Sequence, residues 1–173
     1  MSETGNRVGT RRHRFLLDKY PPGLERNAPH VQITDNYITN TRMRLRKIRV
    51  PESRLREYHL TQVRHPDKDD PAFTESTDIV LSASEYEVIS VFEGNELRKN
   101  RFEYEFDGRR YLIDFYLGPL WGLFIAQTEF ALDESVAIAR LPEFALADIT
   151  HDPLFSGPRL TELTIADIRK KYN

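Results

Sequence analysis

The stretch Lys99-Asn100-Arg101-Phe102-Glu103-Tyr104-Glu105-Phe106-Asp107-Gly108-Arg109-Arg110-Tyr111-Leu112-Ile113-Asp114-Phe115-Tyr116 decides how this chain folds. Two alternating runs flank Asp107-Gly108, a dipeptide suited to a two-residue hairpin turn because both central positions require φ > 0. Counting outwards pairs Phe106 with Arg109, Glu105 with Arg110, Tyr104 with Tyr111, Phe102 with Ile113 and Arg101 with Asp114. One face of the predicted hairpin is aromatic and aliphatic. The other carries Lys99, Arg101, Glu103, Glu105, Arg110 and Asp114. An ordinary sandwich would show such a face to water, whereas a barrel whose other strands supply similar faces would turn it inward.

The remaining chain supplies strands of the same kind. Alternation and punctuation predict strands over Arg14–Leu17, His30–Tyr37, Thr41–Val50, Glu57–Val63, Ser76–Leu81 and Leu123–Leu132. Tyr20-Pro21-Pro22-Gly23 and Pro51-Glu52-Ser53-Arg54 break them. Ser84 with Glu87 reads as the capping box of a helix that ends at Gly94-Asn95, and Thr164 with Asp167 as that of a final helix over Ile165–Tyr172. A further short helix is predicted from Asp133 to Arg140. Residues 1–12 are polar and read as a flexible arm, leaving 13–173 as one domain. The expected fold is mainly β, an eight-stranded antiparallel barrel with a few short helices outside it.

Composition narrows the chemistry. A chain of 173 residues with no cysteine has neither disulfides nor thiolate metal sites. No apolar run is long enough for a membrane span, and the first residues lack a signal-peptide core, so a cytoplasmic protein is expected. Net charge is −2, yet residues 1–66 hold 14 Lys/Arg against 6 Asp/Glu, and the rest hold 11 against 21. Such segregation fits opposed surfaces, or an interior where early cations meet late carboxylates.

Three constellations stand out. Arg42, Arg44 and Arg46 share one strand face about 7 Å apart, tolerable in water, beside carboxylates, or around a polyanion. Phosphate suits the arginine fork. Arg101 and Asp114, with Lys99 nearby, form either a structural cross-strand pair or part of a site. Gln127 and Glu129 share a strand face with Ile125 and would make a modest cation site. The five histidines lack ligand spacing, and no phosphate loop, nucleophile elbow or zincin motif occurs. Trp121 reads as a packing residue. Arg11-Arg12-His13-Arg14 lacks the interleaved aromatics of single-strand binders, so a nucleic-acid partner is not expected.

The order of these motifs resembles the CYTH family, the triphosphate tunnel metalloenzymes. Lys99-Asn100-Arg101-Phe102 is similar to its Lys-x-Arg-aromatic strand, Leu112-Ile113-Asp114 to the next strand, and Gln127-Thr128-Glu129-Phe130 to its Glu-x-Glu-Phe strand. Arg44-Leu45-Arg46 is similar to its Arg-x-Arg strand, and Phe155-Ser156-Gly157-Pro158-Arg159-Leu160 to its closing segment. The resemblance implies a tunnel that binds triphosphate with basic side chains and Mg²⁺ or Mn²⁺ with glutamates. Family members hydrolyse triphosphates or cyclise ATP. In this chain, however, the amino-terminal Glu-x-Glu-x-Lys falls on Thr10, Arg12 and Arg14, and the later Glu-x-Glu has Gln127 in first place.

The resemblance therefore points to Arg14, Arg42, Arg44, Arg46, Lys99, Arg101 and Arg159 as phosphate ligands. It leaves Asp78, Asp114 and Glu129 as the residues that would hold a metal. The expectation is a binder of a triphosphate-containing or polyphosphorylated ligand, monomeric or weakly dimeric, with a degenerate site and weak or lost catalysis. Two alternatives stay open. One is an active Mg²⁺- or Mn²⁺-dependent triphosphatase or adenylate-cyclase-like enzyme; the other is a ligand-free interaction scaffold in which the arginines pair with Glu103, Glu105 and other carboxylates.

Overall fold

Asp107 and Gly108 both adopt positive φ, 50° and 69°, as a tight hairpin turn requires. A computed structural model of the chain, describing residues 7–65, 70, 72–130 and 140–172, shows the hairpin in the register its sequence predicts. Strands Gly94–Phe106 (β6) and Arg109–Tyr116 (β7) pair Phe106 with Arg109, Phe102 with Ile113 and Arg101 with Asp114. Before them come β1 (Arg7–Leu17), β2 (His30–Ile38), β3 (Met43–Arg49), β4 (Arg56–Arg64), β5 (Phe73–Leu81) and α1 (Ala83–Ile89). After them come β8 (Phe124–Phe130), β9 (Ala147–Asp148), α2 (Gly157–Leu160) and α3 (Ile165–Tyr172).

The strand order β5-β4-β3-β2-β6-β7-β8-β1 closes through a further β1–β5 pairing, and every pairing is antiparallel. Closure corrects one expectation. Residues 7–12, read as part of an arm, belong to β1, where Arg7–Arg11 pair with Thr77–Phe73 before Arg11–Leu17 pair with β8. Their polarity has a structural cause, since a strand with one face inside a polar barrel and the other near a surface needs little apolar character. Residues 1–6 and the helix predicted from Asp133 lie outside the described residues, except for Arg140 at its end.

One set of apolar side chains points outward and is covered by loops. Phe15, Leu17, Phe102, Ile113, Phe115, Phe124 and Ala126 form one buried layer, with Tyr20, Leu24 and Phe144 packed over it. Tyr20 alone meets Phe102, Phe115 and Phe124 at ring-centroid distances of 5.7, 5.8 and 4.7 Å. A second layer joins Leu16, Leu97, Tyr116 and Ile125, on the same strand faces as the cavity residues, to Ile149, Phe155, Leu160 and Ile168, so the C-terminal segment is clamped against the barrel there. Burying this apolar surface, at roughly 25 cal/mol per Å², is the main force holding the segment there. α3 opens with the predicted cap, Asp167 accepting from Thr164 N–H and Oγ1. α1 is capped two residues earlier than predicted, by Ser82 with Glu85 instead of Ser84 with Glu87. Strand β5 ends at buried Leu81, which makes Ser82 the first residue free to cap.

Candidate functional site

The mostly polar inner faces line a cavity of about 1560 Å³ within the barrel. Its described lining includes eight Lys/Arg and five Asp/Glu side chains. Arg44 and Arg46 face this cavity because β3 alternates and Leu45, at 2% exposure, takes the outer face, and Arg42 lines it from the turn just before β3. Arg12, Arg14, Lys99 and Arg101 line it too. Arg159 does not; it lies on α2, half exposed, and pairs with Glu162. Glu162 itself lines the cavity, so Arg159 stands beside that space, held by this ion pair.

Two buried carboxylates organise the cations. Asp114 accepts from Lys99 Nζ at 2.7 Å and from Arg101 Nε and Nη2 at 2.6 and 2.8 Å. Burial opposes its ionisation, but Arg101 and then Lys99 outweigh burial and hold the carboxyl well below the usual range. Lys99 feels the converse. Burial is the largest influence on it and brings its ammonium down to about 7, with Asp114 acting the other way. Asp35, fully buried, accepts from Arg46 Nε and Nη2 at 2.6 and 2.7 Å, with Arg44 Nε 3.7 Å away. Burial opposes ionisation here also, yet the Arg46 hydrogen bonds keep the Asp35 carboxyl below its ordinary value.

Each carboxylate is thus shared by two cations, which leaves positive charge in excess at both clusters. Arg44 Nε is buried with no hydrogen-bond partner among the described residues, while Nη2 of the same residue donates to Thr61 Oγ1 at 3.2 Å. Arg14 donates from Nη1 to the Phe155 carbonyl at 2.6 Å. Arg42 is exposed at the rim. Buried donors aimed into a cavity with surplus positive charge suit an anion rich in oxygen acceptors.

The expected metal set does not assemble. Among the described residues no three His, Asp or Glu side chains group as a metal site. Asp114 is enclosed by its two cations, and Asp78 accepts from Thr61 Oγ1 at 2.6 Å with His59 Nδ1 2.7 Å away. Glu129 pairs with Arg12 across the β1–β8 ladder and is not part of the cavity lining. A hard cation needs several free oxygens close together, so this donor set does not fit Mg²⁺ or Mn²⁺. Glu103 is also misplaced in the scaffold reading. It is exposed and pairs with Arg110 instead of with interior arginines, while Glu105 is exposed likewise.

Asp35 was not singled out in the sequence, although a signal existed. Aspartate is depleted in strands, and the β2–β3 register puts Asp35 opposite Arg46. Thr61 and Tyr37 have weaker signals, since nothing in an isolated strand shows which alternate residue faces a cavity.

No protein-family model matches the chain, and no curated protein does. Solved structures do. Two crystal structures of NE1496, one described as a hypothetical protein and one as an inorganic triphosphatase, each match with a TM-score of 0.59 at 19% identity. They cover 90% and 89% of this chain and 99% and 95% of theirs. The chain therefore shares its antiparallel barrel fold with NE1496.

Proposed function

We propose that this chain binds a triphosphate-containing or polyphosphorylated ligand in the barrel cavity, using its own cations and no divalent metal. One observation carries the reading. Arg44 Nε is buried with no hydrogen-bond acceptor among the described residues, and the nearby carboxylates Asp35 and Asp114 are each already shared by two cations. A phosphate oxygen would give that donor the partner it lacks, because an unsatisfied buried N–H costs roughly 1–3 kcal/mol. Arg14, Arg42 and Arg46 line the same space, and Lys99 and Arg101 lie at its Asp114 end.

The same geometry argues for weak or absent hydrolysis. Phosphoryl transfer draws on charge neutralisation and an activated water, both of which a metal commonly supplies. Here Asp78, Asp114 and Glu129 are held apart by hydroxyl, imidazole and guanidinium partners. That NE1496 is described as an inorganic triphosphatase makes inorganic triphosphate the first ligand to try.

Isothermal titration with tripolyphosphate, ATP and longer polyphosphate in EDTA tests the reading. Binding that weakens with salt and is reduced at least tenfold by Arg44→Met supports it. No binding of any of the three, or binding that appears only on adding Mg²⁺, overturns it.

A further inference from the structure

Glu75 and Asp78 of the chain's acidic segment line the cavity, but α1 and the turn after it do not. Residues 69–97 contain eight Asp/Glu and no Lys or Arg. Within that stretch α1 has no buried residue. Val88, Val91 and Phe92, spaced three and one apart, are 70, 78 and 57% exposed, and Ile79 and Val80 on the preceding strand are also exposed. Single exposed aliphatic residues are ordinary, but five within fourteen positions on one capped helix and its flanks are not.

α1 is also loosely seated. Its Tyr86 ring meets Tyr58 at 4.5 Å, while a groove of about 240 Å³ stays open between the helix and the barrel wall. Thr34, Asn36, Leu45, Tyr86, Phe92 and Glu96 line this groove, and Asn36 Oδ1 is shielded from solvent with no hydrogen-bond partner among the described residues. Glu87 and Glu93 flank the apolar residues, are exposed, and form no ion pair among the described residues.

We propose that α1 and the turn after it form a docking surface for a basic amphipathic segment of a partner protein, whose aliphatic side chains cover Val88, Val91 and Phe92 while its Lys or Arg side chains meet Glu87 and Glu93. Charge chooses this occupant. An anionic bilayer would be repelled by the exposed Glu87 and Glu93. In an isologous pair of copies, identical carboxylates would face one another. A helix with apolar anchors and flanking cations satisfies both features of the surface. The inference is independent of anion binding in the cavity, from which α1 is separated by the barrel wall.

The test uses the full chain and a labelled 14-residue Leu/Lys amphipathic helical peptide, with a Leu/Glu peptide of the same pattern as control. Fluorescence anisotropy should show binding of the Leu/Lys peptide only. Affinity should fall at least tenfold in Val88→Ser/Val91→Ser/Phe92→Ser and separately in Glu87→Lys/Glu93→Lys. Bound peptide should slow amide exchange over residues 83–93, and both variants should keep wild-type tripolyphosphate binding and thermal midpoint. The proposal is overturned if the apolar triple variant binds the peptide as well as wild type, since charge alone would then account for binding. It is equally overturned if the triple substitution abolishes self-association seen by sedimentation, or binding to phosphatidylserine vesicles, in place of peptide binding.

Discussion

Replacing Asp114 by Asn asks whether the buried cluster is what holds the β6–β7 wall together. The carboxylate is 2% exposed and takes three hydrogen bonds of 2.6 to 2.8 Å from Lys99 and Arg101. Asparagine keeps the shape and removes the charge, leaving two cations close together with one neutral acceptor. Breaking a buried ion pair from one side costs about 3–5 kcal/mol. With a urea m-value of about 2 kcal/mol/M, the midpoint should fall by about 1.5–2.5 M. The loss should be greater at pH 6 than at pH 9, because Lys99 titrates near 7 and at high pH can shed its charge in the folded state. Tripolyphosphate should recover part of it by supplying the missing negative charge; a ligand at 100 times its Kd adds about 2.7 kcal/mol. Urea unfolding at both pH values, with and without the anion, measures all three effects. A loss below about 1 kcal/mol, unchanged between pH 6 and 9, would refute the reasoning, for it would mean the cluster behaves like a surface pair.

Three further outcomes are expected. Gly157→Ala should destabilise by about 1–3 kcal/mol, since a Cβ there would lie 1.8 Å from Tyr37 Oη; thermal unfolding should show the effect shrinking when Tyr37→Leu is added. Ser82→Ala should cost about 1 kcal/mol at the start of α1 while Ser84→Ala costs much less, measured by amide exchange of the helix. His13, 4% exposed, has neither ring nitrogen hydrogen-bonded among the described residues, and burial lowers its pKa despite Asp148 nearby. Below pH 6.5 the unfolded chain therefore binds a proton the folded chain resists, so stability should fall on acidification. Comparing urea midpoints at pH 5 and 7.5, His13→Phe should show less of that fall.

Much of the fold was legible because turn chemistry fixes register. Asp107-Gly108 set the β6–β7 pairs residue by residue, and that register placed Arg101 opposite Asp114. The Arg42, Arg44, Arg46 ladder was legible as a face but not as an interior. Alternation separates two sides of a strand without saying which side is enclosed, and closure depends on β1 meeting β5 more than 60 residues away in sequence. The same ambiguity hid residues 7–12 in an apparently flexible arm. Arg159 was carried by a motif, and the motif gives no sign of its ion pair with Glu162. Asp78, Asp114 and Glu129 have the right chemistry for a cation, but cross-strand register hands each to a different neighbour: Thr61, Arg101 and Arg12.

The central claim is that the barrel cavity holds a polyphosphate anion through arginine and lysine without a metal. Crystals grown with tripolyphosphate and EDTA test it most directly. The account predicts phosphate density inside the barrel, with an oxygen within about 3 Å of Arg44 Nε and further contacts to Arg14 and Arg46. An empty cavity with the Asp35 and Asp114 clusters unchanged, or anion density that forms only with Mg²⁺ bound to Asp78, would contradict it.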